Sequence, residues 1–142
     1  MDQVRSFFKT KWLFYNVAPY VIYTSPQIFA ENVNRREPII IEVVEFLTGV
    51  DINTLALFIN NYNVIDASTI AVISGGYRIT YSPSVSFYWG VDIQVGVRAA
   101  NEDSLYMPDY EYYYTIVPRK INTMIETAVL DLARSVDWSE LE

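Results

Sequence analysis

The chain of 142 residues contains neither cysteine nor histidine. The lack of cysteine excludes disulfides, thiolate nucleophiles and zinc–thiolate sites, and the lack of histidine removes the commonest general base and metal ligand. No acidic stretch has EF-hand spacing, so turn capping is a simpler role than Ca²⁺ binding for the candidate carboxylates Glu42, Glu45, Asp51, Glu102 and Asp103. We therefore predict a protein that is not an enzyme and has no catalytic residues, no metal site and no cofactor.

Positive charge is also scarce in the middle of the chain. The formal net charge is -7, and between Glu37 and Pro118 the only basic residues are Arg78 and Arg98. Because phosphate affinity comes mainly from lysine and arginine, this balance argues against a nucleic-acid partner.

Long apolar runs are missing as well. Lys9, Lys11 and Asn16 interrupt the apolar residues near the N-terminus, and no stretch has the 18 uninterrupted apolar residues that indicate a membrane span. We expect no signal peptide, no membrane partner and synthesis in the cytoplasm of the cell that makes the protein. The chain is short and begins with methionine, so we expect a complete gene product.

Alternating patterns and turn residues occupy the middle of the chain. Residues 91–100 alternate most clearly, with Val91, Ile93, Val95, Val97 and Ala99 on one predicted face, as in a strand with one buried side. Seven strands are predicted, at residues 20–24, 38–46, 55–60, 68–73, 77–82, 91–100 and 110–117. Seven short strands with regularly spaced turn signals are typical of an immunoglobulin-like β-sandwich.

The two ends of the chain have a different character. We divide it into an N-terminal helix or docking arm (1–19), the sandwich (20–117) and a C-terminal amphipathic helix (118–142). A capping box from Thr123 to Glu126 marks the predicted start of that helix. Both ends carry surplus apolar residues, which either fold back over the sandwich or dock on neighbouring subunits. We predict an interface at Phe7, Phe8, Trp12, Phe14, Tyr15, Ile125, Val129 and Leu132.

Three stretches combine strand and turn residues in a recognisable order, namely TGVDINTLALFIN (48–60), GYRITYSP (76–83) and GVDIQVGVRA (90–99). They resemble the immunoglobulin-like domains of phage structural proteins and bacterial surface adhesins. The resemblance covers roughly residues 36–117, and the predicted terminal segments lie outside it. It implies a mainly β protein with an immunoglobulin-like sandwich of about seven strands.

From these observations we expect a structural protein of a tailed-phage virion, located in the tail, baseplate, neck or capsid decoration. Its partners would be other virion proteins and further copies of itself. One alternative is a module that binds a cell-surface glycan or protein through aromatic side chains, namely Phe87, Tyr88, Trp89, Tyr110, Tyr112 and Tyr114. Another is an α/β tail-completion or connector protein, in which two helices pack on one face of a single sheet.

Overall fold

The computed structural model describes residues 16–119, which form eight β-strands in two antiparallel sheets. The strands are β1 (Tyr20–Ser25), β2 (Ile39–Val44), β3 (Ala56–Ile59), β4 (Tyr62–Asn63), β5 (Thr69–Ile73), β6 (Gly76–Tyr81), β7 (Asp92–Arg98) and β8 (Tyr110–Thr115). The first sheet has the order β1-β2-β6-β5 and the second β4-β3-β7-β8. Short 3₁₀ turns at Ile52–Thr54 and Ile65–Ala67 precede β3 and β5.

The core lies between the two sheets and is built from alternate residues of their inner strands. Ile39, Ile41 and Val43 of β2 have no exposed surface, and neither do Ile93 and Val95 of β7. Side chains in a strand point to opposite faces in turn, so each inner strand contributes every second residue to this layer. Burial of this apolar surface takes the place of the disulfide that the sequence lacks.

Turn chemistry sets the register of two hairpins. Asn60 and Asn61 connect β3 to β4 with φ values of 50° and 70°, the left-handed conformation that asparagine tolerates and a two-residue type I′ turn requires. Ile73 pairs with Gly76, so the β5–β6 turn consists of Ser74 and Gly75, with Gly75 at φ 81°. The sequence predicted this hairpin but placed its turn one residue later, at Gly75–Gly76.

A segment between β1 and β2 covers one sheet edge. The Phe29 N–H donates to the Tyr113 carbonyl at 2.8 Å, and Val33 forms a parallel bridge to Ile116 just beyond β8. The edge of β8 is therefore shielded from pairing with another chain.

All seven predicted strands are present, and the prediction of a mainly β protein with two packed sheets is confirmed. The strand β4 was not predicted from the sequence, because a two-residue strand shows no periodicity.

The predicted N-terminal helix or arm lies outside the described residues, except for its last four positions, which contain no helix. The C-terminal helix predicted for residues 118–142 also lies outside the described residues, except for Pro118 and Arg119, which are not helical. The α/β alternative required a single sheet, and the described residues form two.

Candidate interaction surfaces

The predicted interface residues at both termini lie outside the described part of the chain, but the structure fixes where their segments join the sandwich. Asn16 and Val17 are held by buried Asn101, whose side-chain amide donates to the Asn16 Oδ1 at 2.6 Å and to the Val17 carbonyl at 3.0 Å. The Asn101 Oδ1 accepts from the backbone N–H groups of Asp103 and Leu105. Asn101 thus ties the entry of the N-terminal segment to the β7–β8 loop.

The exit of the C-terminal segment lies at the other end of the strands. The Gly90 N–H donates to the Val117 carbonyl at 3.0 Å, just before β7 begins, whereas Asn101 follows the end of β7. The seven residues of β7 span ~23 Å at the usual rise of a strand. We call the end near Asn101 the N-terminal end of the sandwich and the end near Gly90 its C-terminal end.

At the N-terminal end, a buried carboxylate organises the β2–β3 loop. Glu45 is 2% exposed and accepts hydrogen bonds from the Thr48 hydroxyl and from the backbone N–H groups of Leu47, Thr48 and Gly49, at 2.6–2.8 Å. Burial by itself raises the pKa of Glu45, but these hydrogen bonds favour the charged form more strongly, and the pKa lies below its usual value. Glu45 therefore has a structural role and is not available as a ligand.

This loop forms one wall of a groove that exposes several apolar side chains. The groove has a volume of about 550 Å³ and continues onto the edge strand β5. Its large apolar side chains remain accessible, with Phe46 61% and Val72 82% exposed and Leu47 about half exposed. We define the N-terminal groove by Phe46, Leu47, Val72, Ile73 and Tyr77. Only two charged residues line it, the internally bonded Glu45 and Glu102.

The C-terminal end carries the aromatic loop between β6 and β7. The Arg35 guanidinium lies 4.3 Å from the Trp89 ring centroid, its Nε donates to the Phe87 carbonyl, and the Phe87 N–H donates to the Arg35 carbonyl. The Arg36 guanidinium donates to the carbonyls of Pro83 and Ser84, both at 3.3 Å. The doubled arginine thus fixes the shape of this loop, a role that sequence patterns do not indicate.

The six aromatic residues predicted to bind a ligand do not form one surface. Tyr88 is 82% exposed and Trp89 is partly exposed, whereas Phe87 packs against the core. Tyr112 and Tyr114 are buried inside the sandwich, so neither ring belongs to a surface patch. Tyr110 is partly buried, with its ring edge-on to that of Tyr112 at 6.2 Å between centroids. This part of the prediction failed because the outward positions of β8 are Glu111 and Tyr113.

Burial also governs the chemistry of the two inner tyrosines. Neither hydroxyl has a hydrogen-bond partner among the described residues. The pKa of Tyr112 is raised first by burial and then by the neighbouring Tyr114 and Tyr110. Burial is also the main cause of the raised pKa of Tyr114, with contributions from Glu37 and Tyr81. Both side chains therefore remain neutral across the physiological range.

The acidic candidates do not converge either. Glu42 forms an ion pair with Arg78 at 2.9 Å, and Asp51 accepts from the backbone N–H of Asn53 at the start of a 3₁₀ turn. Within residues 16–119, no three acidic side chains come together in a way that would hold a metal ion. These carboxylates serve local structure.

A polar depression on the outer face of the second sheet was missed by the sequence reasoning. It has a volume of about 260 Å³ and lies over Gly96, with Phe58, Gln94, Arg98 and Glu111 in its lining. The Gln94 amide donates to the Glu111 carboxylate at 3.0 Å. A glycine inside a strand is the sequence signal that would have indicated it.

Comparisons with known proteins bear on the fold alone. No family model and no curated protein matches the chain. Among solved structures, the crystal structure of CopC from Methylosinus trichosporium OB3b is similar over 71% of this chain and 95% of CopC, with a TM-score of 0.51 and 14% sequence identity. The chain is a β-sandwich. No helix within residues 16–119 is long and apolar enough to cross a membrane.

Proposed function

We propose that the chain is a non-enzymatic structural protein of a tailed-phage virion, which assembles in many copies through an immunoglobulin-like sandwich and its two terminal segments. The observation that carries this proposal is that the two points at which those segments join the sandwich lie at its opposite ends. The N-terminal segment joins beside Asn101, and the C-terminal segment leaves beside Gly90. Each copy therefore has one terminal segment joined to each end of its sandwich.

The charges of the two segments support a head-to-tail arrangement. Residues 1–15 carry Arg5, Lys9 and Lys11 against the single carboxylate of Asp2. Residues 120–142 have the opposite balance, with five carboxylates against Lys120 and Arg134. Opposite charges at opposite ends favour a heterologous contact, which generates rings if the rotation closes and filaments if it does not.

The strand order supports the immunoglobulin-like part of the proposal. In constant-type immunoglobulin domains one sheet has the order ABED and the other CFG. If the strands are lettered along the chain, β1-β2-β6-β5 corresponds to ABED and β3-β7-β8 to CFG, with β4 added beside β3. The resemblance of residues 48–60, 76–83 and 90–99 to phage immunoglobulin-like domains points in the same direction.

The assembly part is tested by measuring the mass of the full chain by light scattering over a concentration series. We expect the mean mass to rise well above the 16.4 kDa of one copy. The location is tested by labelling purified virions with antibodies against the chain, and we expect labelling at one defined structure. A chain that stays monomeric at every concentration contradicts the assembly, and virions that are never labelled contradict the location.

A second candidate function is the binding of a glycan or protein on a cell surface. The depression over Gly96 favours it, because an aromatic ring beside planar amide, guanidinium and carboxylate groups suits a sugar. Under this function, Phe58→Ala or Trp89→Ala abolishes binding to a glycan array while the sandwich stays folded. Retained binding in both variants excludes these two aromatic sites.

A further inference from the structure

We propose that the N-terminal groove is the receptor for the C-terminal segment of a neighbouring copy, residues 120–142. This inference rests on the proposed head-to-tail assembly and names the two surfaces that meet in it. The groove exposes Phe46, Leu47 and Val72 at the end of the sandwich that faces the next copy in such an arrangement.

The groove is suited to a protein segment because it is open, exposes large apolar side chains and is bordered by a strand with one unpaired edge. In the first sheet β5 is an edge strand, and residues 67–77 contain no charged side chain. Natural edge strands are usually protected by charges, by proline or by a covering segment. The β8 edge has such a cover in residues 29–33, whereas β5 has none within residues 16–119.

The composition of residues 120–142 fits this groove. The sequence predicts an amphipathic helix in which Ile125, Val129 and Leu132 share one apolar face. An apolar helical face laid into an apolar groove is a common mode of peptide recognition.

The exit point of the segment favours the groove of another copy. Residues 120–142 follow Arg119 at the C-terminal end, which is separated from the groove of the same sandwich by the length of β7. In a head-to-tail contact this end faces the N-terminal end of the next copy.

Electrostatic attraction would come from the N-terminal segment of the receiving copy, since the two charged residues that line the groove, Glu45 and Glu102, are acidic like residues 120–142. The cationic segment 1–15 enters at Asn16, next to the groove, because the Glu102 N–H donates to the Gly49 carbonyl and both residues line the groove. Arg5, Lys9 and Lys11 of the receiving copy therefore lie close in sequence to the attachment point at which the acidic segment of its neighbour would arrive.

Complementation between two defective full-length chains tests the proposal. Val72→Asp places a negative charge in the groove at a side chain that is 82% exposed, so we expect the variant to fold. Leu132→Asp damages the segment and leaves the groove intact. Each variant alone is expected to weaken self-association at least about tenfold, whereas an equimolar mixture restores one intact contact and forms a heterodimer of twice 16.4 kDa.

A second groove variant and a control variant outside the groove complete the test. Leu47→Asp damages the groove from the loop side and is expected to behave like Val72→Asp even if charge in β5 lowers its strand propensity. Val85→Asp makes the same chemical change at an exposed position in the β6–β7 loop, outside the groove, and should assemble like the parent chain.

The outcomes separate this inference from the proposed function. If the parent chain assembles and both groove variants assemble equally well, the groove is not the receptor and the inference is overturned while the assembly stands. Loss of assembly in Trp12→Ser together with normal assembly of Leu132→Asp would assign the groove to residues 1–15 and also overturn it. A parent chain that never associates contradicts the proposed assembly itself.

Discussion

At the scale of single residues, two kinds of buried polar group have opposite consequences for stability. Glu45 is buried with four hydrogen-bond donors around its carboxylate. The hydroxyls of Tyr112 and Tyr114 are buried with no partner among the described residues. A buried charge whose hydrogen bonds are all formed stabilises local structure. A buried hydroxyl without a partner lowers the free energy of unfolding, because no hydrogen bond offsets its desolvation. Both cases lead to predictions that folding measurements can check.

Replacing Glu45 by glutamine is expected to lower the free energy of unfolding by ~1–3 kcal/mol at pH 7, because an amide has one acceptor oxygen and turns its NH₂ towards backbone donors. The pKa of Glu45 lies below its usual value in the folded chain. Its contribution to stability is therefore complete above the unfolded pKa and is lost as the pH falls through the folded pKa. Urea unfolding at pH 7 and at acidic pH measures both effects, and the Glu45→Gln chain should lose less stability on acidification than the parent.

Glu42→Gln is the matched control for this prediction. Glu42 forms an ion pair with Arg78, whose side chain is half exposed, so its removal should cost no more than ~1 kcal/mol. Equal decreases in the free energy of unfolding of the two variants would show that the buried hydrogen bonds of Glu45 do not stabilise the β2–β3 loop.

Tyr112→Phe and Tyr114→Phe are expected to leave stability unchanged or to raise it by up to ~1–2 kcal/mol, because each removes a buried hydroxyl without orphaning a partner. Tyr113→Phe, at an exposed position of the same strand, should change it by less than ~0.5 kcal/mol. Urea unfolding at pH 7 measures all three. The pKa values of the two buried phenols are raised, so their titration leaves the stability of the parent chain unchanged below the unfolded pKa and lowers it as the pH rises from the unfolded towards the folded pKa. A clear loss of stability in either phenylalanine variant would mean that its hydroxyl has a partner.

At the scale of elements, the β5–β6 hairpin requires a glycine for close approach. A Cβ added to Gly76 would lie 2.0 Å from the Val43 carbonyl oxygen, and that oxygen belongs to backbone that cannot move without breaking the β2–β6 pairing. Turn conformation alone does not explain this glycine, because Gly75 is the residue with positive φ. Packing between β2 and β6 sets the requirement.

Gly76→Ala is accordingly expected to destabilise the sandwich by ~3 kcal/mol or more, the upper range for forced overpacking. Gly90→Ala provides the control, because its Cβ would meet nothing closer than 3.8 Å and only its φ of 68° is unfavourable, at a cost of ~1–2 kcal/mol. Thermal and urea unfolding of the two variants should rank them in this order. If Gly90→Ala is the more damaging, turn strain outweighs the close approach at Gly76.

The strands themselves were largely predictable at this scale. Alternation in β7 and the turn signals at Asn60–Asn61 are local properties of the chain, and all seven predicted strands occur in the structure. The inward positions of β7 were also correct, since Ile93, Val95 and Val97 are buried. The aromatic cluster of β8 was harder, because alternation does not reveal which face of a tyrosine-rich strand packs inward.

At the scale of the whole molecule, electrostatics should control the proposed assembly. The cationic residues of segment 1–15 and the carboxylates of residues 120–142 belong to opposite ends of one chain. Screening shortens the reach of charges from ~10 Å at 0.1 M salt to ~3 Å at 1 M. Contacts between exposed charged segments are therefore weakened by salt, whereas contacts in an apolar groove are not.

Raising the ionic strength from ~0.02 M to ~0.5 M is expected to weaken self-association of the full chain severalfold without abolishing it, as measured by sedimentation velocity. In a Lys9→Glu/Lys11→Glu chain the response to salt should be smaller or reversed, because attraction between the ends becomes repulsion. Lys9→Arg/Lys11→Arg keeps the charge and should behave like the parent. Association that is independent of salt in all three chains would exclude the charge complementarity proposed for the two ends.

The sequence by itself determined the class of fold, most of the strands, the acidic character of the middle and the apolar surplus of the ends, because these depend on composition and on neighbours along the chain. Only the tertiary structure decided that Asn101 anchors residues 16 and 17, that Tyr112 and Tyr114 are interior, and that the terminal segments attach at opposite ends. It also decided that Phe46 and Val72 meet in one groove. These features join residues far apart in sequence, and their contacts follow from the pairing and packing of the two sheets, which no local pattern encodes.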